Sequence, residues 1–205
     1  MSRFTGPRLK VMRSLGVDLP GLSRKSIEQR PQPPGQHGAK ATRKRMSDFG
    51  VKLQEKQKLR FNYGLTERQM RKMILKARKG NMPTGDHFLQ LLERRLDNVV
   101  FRAGFAPTIL AARQLVSHRH VLLNGAIANI PSIQVKVGDQ ISLKVTSLKI
   151  AIVMETLENP PLTRPDWITF MDKENGVRVS HLPEADQVPF PVDMQQVVEF
   201  YSNRV

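Results

Sequence analysis

Five polar side chains follow Thr108 at spacings that suit contact with a nucleic-acid backbone. Thr108 can cap a helix that runs to about His118, because its hydroxyl can accept a hydrogen bond from the first turn. The 100° spacing of that helix places its apolar residues on one arc and the polar residues on the opposite arc. A guanidinium binds phosphate, while amide and hydroxyl groups bind backbone or 2′-OH oxygens. The candidate RNA-binding residues of this segment are Arg113, Gln114, Ser117, His118 and Arg119.

Histidine and aspartate side chains near this helix also allow other roles. The helix dipole favours His118 as a C-terminal cap. A metal site built on His118 and His120 would be incomplete, since no carboxylate or thiolate stands beside them in the sequence. Asp97 follows Arg94 and Arg95, which favours a carboxylate that organises those arginines over one that acts as an acid catalyst.

Two predicted helices before residue 80 carry rows of basic residues. Ser47 can cap the first helix, which is predicted to end near Tyr63 with Gly64 as its stop. Thr66 opens the second helix, and Gln69 completes the spacing of a capping box. A lysine row opposite an apolar stripe is usually a solvated face, but two successive rows with few acids favour a polyanion partner. The candidate rows are Lys52, Lys56 and Arg60 on the first helix and Arg68, Lys72 and Lys76 on the second.

Two further helices are predicted over residues 86–93 and 94–103. The first carries Phe88, Leu89, Leu91 and Leu92, which we expect to be buried. The second has an apolar side formed by Leu96, Val99 and Val100. Three polar residues recur at i, i+3 and i+7 on the opposite side and are further RNA-binding candidates: Arg95, Asn98 and Arg102.

The positive charge of the chain is concentrated in its N-terminal part. Residues 1–80 hold 21 of the 33 Lys and Arg but only 5 Asp and Glu, whereas residues 151–205 hold 4 Lys and Arg against 9 acids. Self-repulsion among such charges opposes compaction unless a polyanion lies nearby. Nucleic acid is therefore the first partner class to consider, and we expect the N-terminal half to lie against it.

Residues 1–46 predict an extended basic arm. They contain 5 Pro and 5 Gly and show no sustained periodicity. Such an arm can be a disordered tail or a segment that becomes ordered on RNA. Its candidate apolar anchors are Phe4, Leu9, Leu15 and Leu22. Its candidate RNA-binding residues are Arg3, Arg8, Lys10, Arg13, Arg43, Lys44 and Arg45.

The overall composition excludes several classes of protein. At 205 residues the chain is long enough for one or two domains with a real core. The absence of cysteine excludes disulfides, thiolate nucleophiles and cysteine-ligated zinc. No apolar run approaches the roughly 18 residues of a membrane span, and the basic N-terminus lacks the apolar stretch of a secretory signal. We therefore expect neither a membrane association nor a metal or other cofactor.

Short strands are predicted after the helices. Residues 121–123 and 126–130 flank Asn124-Gly125, which is a strong hairpin signal. A turn at Gly138-Asp139 leads to a strand over residues 140–145. Residues 147–157 fit a helix but also a buried strand, and a second hairpin is predicted around Asn175-Gly176. Together with a short apolar element at residues 194–201, this pattern predicts an α+β fold with a small antiparallel sheet.

Three short segments resemble the small RNA-binding domain that is named after small-subunit ribosomal protein four. They are residues 95–98 (RLDN), 112–118 (ARQLVSH) and 121–125 (VLLNG). Further segments resemble the ribosomal protein family itself, nearly from end to end: residues 6–8 (GPR), 34–38 (PGQHG), 55–60 (EKQKLR), 63–69 (YGLTERQ) and 197–202 (VVEFYS). The resemblance to the family is weak over residues 146–192.

The resemblance implies a structural role on the small ribosomal subunit. Members of the family are primary binders of the five-prime domain of small-subunit ribosomal RNA, nucleate assembly of the subunit body and meet ribosomal protein five at an interface linked to decoding accuracy. It also implies a basic arm at residues 1–46, a helical domain at 47–93 on which 188–205 packs back, and an inserted RNA-binding domain at 94–187 with its core at 95–145.

Two expectations depend on which branch of the family the chain resembles. Many members bind zinc through cysteines near residues 20–40, which this chain lacks, so zinc is not expected. The cysteine-free arm and the sequence of residues 65–69 (LTERQ) resemble the cyanobacterial and plastid branch. That likeness favours the chloroplast stroma, with the bacterial cytoplasm as the alternative.

Three classes of function are compatible with these features. The first is a structural ribosomal protein that contacts ribosomal RNA, ribosomal protein five and other small-subunit proteins, without forming a homo-oligomer. The second is an RNA-modifying enzyme, which needs a carboxylate in a deep pocket. The third is a general nucleic-acid chaperone or DNA binder, which would need only charge and not an organised surface at residues 113–119. We expect the first class, and hence no enzymatic activity.

Overall fold

The computed structural model describes residues 4–38, 46–171 and 176–202. The described residues form two compact units, one within 4–88 together with 188–202 and the other within 89–187. Four of the candidate RNA-binding residues lie outside the described residues: Arg3, Arg43, Lys44 and Arg45. No helix in the described part of the chain is long and apolar enough to cross a membrane.

The N-terminal segment contains a helix, which the sequence pattern did not predict. Helix α1 (Arg8–Leu15) ends at Gly16, whose φ of 68° is the left-handed conformation that glycine adopts readily. Met12 and Leu15 are buried, and Gln54 Nε2 donates a hydrogen bond to the Leu15 carbonyl oxygen at 2.7 Å. The extended conformation expected here is therefore wrong for this stretch. Two turns are too short for a visible period, and docking against the rest of the unit stabilises them.

Of the four apolar anchors expected in this segment, two are buried. Leu15 and Leu22 are buried, whereas Leu9 is exposed and Phe4 is half-buried against the edge of Phe61. Leu19 is an additional buried anchor that the sequence analysis did not name.

The two helices with local start signals form as expected. Helix α2 (Asp48–Asn62) is capped by Ser47, whose side chain accepts a hydrogen bond from the Gly50 amide. Helix α3 (Glu67–Arg78) begins with a complete capping box between Thr66 and Gln69. The expected apolar stripe of α3 is confirmed as its core face, with Met70, Ile74 and Ala77 buried and Met73 half-buried.

The C-terminal segment belongs to the first unit and packs on α2. Helix α8 (Met194–Ser202) places Phe200 against Phe49, with ring centroids 5.9 Å apart. Just before α8, Lys58 Nζ donates to the Pro191 carbonyl oxygen at 3.4 Å, and the Asp193 amide donates to Glu55 Oε2 at 2.9 Å.

The second unit contains helices and a small sheet. The chain enters it within α4 (Thr84–Glu93) and continues through α5 (Leu96–Arg102) and α6 (Ile109–Ser117). Residues 147–157, which fit a helix or a strand, are helical: a short 3-10 helix at Val145–Lys149 precedes α7 (Ala151–Glu158). Another 3-10 helix covers Ala185–Gln187, and the buried core of this unit includes Val99, Val116 and Trp167.

The sheet has five antiparallel strands: β1 (Val121–Leu123), β2 (Ala126–Ala128), β3 (Gln140–Leu143), β4 (Ile168–Met171) and β5 (Gly176–Val179). Their order is β2-β1-β3-β5-β4. The turn between β1 and β2 has positive φ at Asn124 (51°) and Gly125 (79°), as the Asn-Gly hairpin signal predicts. The α+β fold class is thus confirmed, and the second hairpin joins the same sheet through pairing of Ile141 with Val177.

Candidate nucleic-acid interface

The first candidate surface, termed the α6 surface, is formed by Arg113, Gln114, Ser117, His118 and Arg119. Thr108 caps α6 by accepting from the Ala111 amide at 3.2 Å. The two arcs expected on this helix are confirmed, because its apolar residues at 109, 112, 115 and 116 are buried. On the opposite arc Gln114, His118 and Arg119 are exposed, while Arg113 and Ser117 are half-buried.

The end of α6 holds Arg119 in a strained backbone conformation. The Arg119 amide donates to the Val116 carbonyl oxygen at 2.9 Å, and the His120 amide donates to the Leu115 carbonyl oxygen at 3.0 Å. These two bonds form a Schellman motif, in which the residue after the cap takes the left-handed conformation. Arg119 has a φ of 64° there, where glycine is the favoured residue. Arg119 is exposed at a position where the left-handed backbone conformation favours glycine.

We expect Arg119→Gly to stabilise the fold and weaken RNA binding at the same time. Relief of the left-handed strain, less the chain entropy of glycine, should raise the free energy of unfolding by about 0.5–1 kcal/mol. Loss of one phosphate contact should weaken binding to ribosomal RNA about 5-fold at 0.15 M salt. Urea unfolding and RNA titration of the same preparation measure both effects. Arg119→Ala is the control, since it should lose affinity without the gain in stability; a glycine variant that binds as wild type would exclude Arg119 from the surface.

A fully buried carboxylate orients Arg113. Asp97 is 0% exposed and accepts hydrogen bonds from Arg95 Nε and Nη2 at 3.0 and 2.7 Å. It also accepts from Arg113 Nε and Nη2 at 2.9 and 2.7 Å, and from the Asn98 amide at 3.0 Å. The organising role expected for Asp97 thus extends to Arg95 and Arg113. The expectation that Asp97 also organises Arg94 is wrong, because Arg94 Nε donates instead to the Val135 carbonyl oxygen.

The polar side of α5 faces the interior, so the exposure expected for its residues is wrong. Arg95 is 4% exposed and pairs with Asp97 at 2.7 Å. Asn98 Nδ2 donates to both the carbonyl oxygen and Oε2 of Glu93 at 2.9 Å, and Arg102 pairs with the same carboxylate at 3.3 Å. A helix packed on two sides satisfies its polar face internally, which one helical wheel does not reveal. Arg95, Asn98 and Arg102 therefore hold the unit together.

The second candidate surface, termed the α3 surface, is the basic row Arg68, Lys72 and Lys76. All three side chains are exposed opposite the buried apolar stripe of α3. No ion-pair partner for them is found in the described part of the chain. The row therefore presents three positive charges to solvent, as the sequence predicted.

The basic row on α2 has a different environment. Lys52 pairs with Glu199 on α8 at 2.9 Å, and Lys56, only 5% exposed, pairs with Glu67 at 2.7 Å. Arg60 is half-buried. The expectation of a solvent-facing row is wrong because α8 covers this side of α2, and the sequence gives no local signal of that packing.

The described basic residues of the N-terminal segment also include both exposed residues and residues that bond within the protein. Arg8 and Lys10 are exposed on α1, although Arg8 Nη1 lies 3.4 Å from the Leu22 carbonyl oxygen, to which it donates. Arg13 Nε and Nη2 donate to the carbonyl oxygens of Gln32 and Pro33 at 2.9 and 3.3 Å. Arg13 thus holds the following loop rather than leaving its guanidinium free for a ligand.

Arg71 is a basic residue that the sequence analysis missed. It is exposed on α3, one helical turn after Glu67. The sequence signal for Arg71 is its i, i+4 spacing from Glu67, because an acid and an arginine at that spacing are neighbours on a helix surface.

The described residues contain no group of three or more His, Asp or Glu side chains that could hold a metal ion. His120 Nδ1 lies 2.9 Å from Ser147 Oγ. Without cysteine, the chain does not fit the cysteine-ligated zinc site that many members of the resembled family carry.

Comparison with known proteins assigns the family. Residues 3–93 match the family described as ribosomal protein S4/S9 N-terminal domain, and residues 94–141 match the S4 domain. The chain is 72% identical over its full length to small ribosomal subunit protein uS4 of Methylobacillus flagellatus, 67% to uS4B of Nitrosomonas europaea and 49% to uS4 of a Synechococcus strain, each covered completely. The chain belongs to the small ribosomal subunit protein uS4 family. Members of the uS4 family are structural components of the small subunit and not enzymes, and this chain is one of them.

Proposed function

We propose that the chain is a primary binder of the five-prime domain of small-subunit ribosomal RNA and nucleates assembly of the subunit body. The observation that carries this proposal is the pair of exposed surfaces on α3 and α6. The α3 surface supplies three exposed positive charges that suit phosphates, whereas the α6 surface supplies a guanidinium fixed by Asp97 together with amide, imidazole and hydroxyl groups. The chain recognises RNA shape and phosphate positions without turnover.

A second candidate, an RNA-modifying enzyme, would need a poised carboxylate. Glu67 lines a cavity in the first unit, so it is the residue to weigh. Burial opposes ionisation of Glu67, but hydrogen bonds from Lys56 and Tyr201 outweigh it and hold the pKa below its usual value. A general acid needs the opposite shift, and Asp97 is saturated by arginines. Neither carboxylate therefore favours catalysis.

The salt dependence of binding tests the proposal. If about eight basic residues each neutralise a phosphate, log K should fall with log salt at a slope of roughly −6 to −7. The measurement is a filter or fluorescence titration with a transcribed five-prime domain RNA, beside an RNA of equal length from another domain. A slope shallower than about −2, or equal affinity for both RNAs, would contradict specific phosphate recognition.

The remaining partners and the compartment are proposed from what the resemblance implies. We propose that the chain meets ribosomal protein five and other small-subunit proteins and supports translational accuracy there, and that it does not form homo-oligomers. Relatives at 72% and 67% identity come from Methylobacillus and Nitrosomonas, whereas the cyanobacterial ones reach 49%. This difference supports the bacterial cytoplasm over the chloroplast stroma. Stoichiometric sedimentation with small subunits in a native extract tests the assignment to the particle.

A further inference from the structure

The polar surface at the end of α6 continues onto the small sheet. The Lys144 amide donates a hydrogen bond to the His120 carbonyl oxygen at 3.0 Å, which extends the pairing of Val121 with Leu143 by one residue. His120 and Lys144 therefore lie directly opposite each other at the ends of β1 and β3, with Cβ atoms about 4.5–5.5 Å apart. Val121 and Leu143 are buried, so the alternation along a strand places His120 and Lys144 on the other face of the sheet. Their side chains are close enough to act on one ligand.

A hydrogen bond to a buried hydroxyl fixes the His120 ring. Its Nδ1 lies 2.9 Å from Ser147 Oγ, and Ser147 is only 1% exposed. His120 is itself half-buried, and no partner for its Nε2 is found in the described ranges. The bond at one ring nitrogen determines what the other can do, so a Ser147 hydroxyl that donates to Nδ1 leaves the proton on Nε2. The ring can then donate from Nε2 to a ligand oxygen.

The positive charges around His120 are not neutralised within the protein. No carboxylate of the described residues pairs with Arg119 or Lys144, and none pairs with His118 or His120. Arg119 is exposed immediately before His120, and the rings of His118 and His120 lie 6.3 Å apart between centroids. Lys144 is half-buried, and such a lysine covers apolar surface with its stem while its ammonium stays in water. This part of the unit is therefore suited to an anion.

We propose that His120 and Lys144 together bind one phosphate of the RNA that contacts the α6 surface, and that Ser147 positions His120 for it. An ammonium and a ring N–H that converge from opposite strands match two oxygens of a phosphate. The inference deepens the proposed function and rests on it, because the bound RNA supplies a phosphate beside Arg119. A free phosphate ester shares this chemistry, and the two sources are separated by experiment.

The first experiment compares wild type with Lys144→Gln and His120→Ala in binding to five-prime domain RNA, after urea unfolding has shown that each variant is folded. Lys136→Gln is the matched control, because it removes one exposed charge from the same unit. We expect Lys144→Gln to weaken binding about 5-fold at 0.15 M salt and to make the slope of log K against log salt less negative by about 0.7–0.9. His120→Ala should weaken binding about 3- to 10-fold. Ethylation interference should disappear at the same single phosphate in both variants, and the control should lose less than about 2-fold.

The substitution Ser147→Ala distinguishes positioning from a general effect on the fold. It should weaken RNA binding about 2- to 5-fold in the wild-type background, because the imidazole is no longer held at Nδ1. In the His120→Ala background it should cost no further affinity, since Ser147 acts through His120. Equal losses in the two backgrounds would overturn the positioning role of Ser147.

A second experiment follows the His120 ring of the free protein by NMR, in inorganic phosphate and in chloride at equal ionic strength. A shift at Nε2 in phosphate that Lys144→Gln lacks, with unchanged RNA affinity in the variants, would support the pair with a free ester as its source. The inference is overturned if there is no such shift and the variants bind RNA no more weakly than Lys136→Gln does. If wild type itself fails to bind the RNA, the proposed function fails, and the phosphate shift alone then decides the pair.

Discussion

Replacing Asp97 by asparagine is expected to lower the free energy of unfolding by about 3–5 kcal/mol, the largest effect of any single substitution considered. Asparagine keeps the shape but removes the charge that two guanidiniums share. Arg95 would then remain buried without a counter-charge, and uncompensated buried charge is what makes the breaking of an internal pair so destabilising. The loss is a large fraction of the roughly 5–15 kcal/mol that stabilises a typical domain.

Urea unfolding of the full chain, read from the midpoint and slope, measures this effect. Asp186→Asn is the matched control, because Asp186 is exposed and should change stability by no more than about 0.5 kcal/mol. If the Asp97 variant does not fold, Arg113→Gln provides a milder version, since Asp97 keeps Arg95; we expect about 1.5–3 kcal/mol there. A loss below about 1 kcal/mol for Asp97→Asn would contradict a buried organising charge.

Neutralising the α3 surface is expected to weaken RNA binding on the order of 100-fold at 0.15 M salt while leaving the fold intact. The variant is Arg68→Gln with Lys72→Gln and Lys76→Gln. Each phosphate contact contributes about 0.7–0.9 to the slope of log K against log salt, so the slope should become less negative by about 2–3. Stability should not fall, because the three side chains are exposed and removing them relieves repulsion.

The control removes the same charge elsewhere. Lys136, Lys149 and Arg178 are exposed in the other unit, outside both candidate surfaces, and their triple glutamine variant has an equal net charge. We expect this control to lose only a few-fold in affinity, through the general field of the protein. Equal losses in the two triple variants would show that binding depends on net charge alone, and the α3 surface would no longer be a site.

The charge gradient overstated how much of the N-terminal half is available to RNA. Lys52, Lys56 and Arg13 are basic residues of that half with partners inside the protein. The α6 surface carries fewer charges but is exposed and organised. A count of basic residues therefore locates the partner class better than it locates the contacts.

Signals that act within a few residues were sufficient to predict local structure. The caps at Ser47, Thr66 and Thr108 form as expected, because each hydroxyl needs only an amide three residues further along the chain. The Asn124-Gly125 turn forms because its two residues tolerate the positive φ that the hairpin requires. The exposed row on α3 and the exposed arc of α6 follow from helical periodicity in the same way.

By itself, the sequence determined the partner class, the helices with local caps, the first hairpin and the surfaces on α3 and α6. The tertiary structure alone decided which basic residues are internal and which carboxylate orients Arg113, because these depend on segments far apart in the chain. Arg113 meets Asp97 sixteen residues away, and Lys58 meets a carbonyl oxygen 133 residues away. Periodicity assigns a residue to a face, but only packing determines whether that face meets solvent or another element.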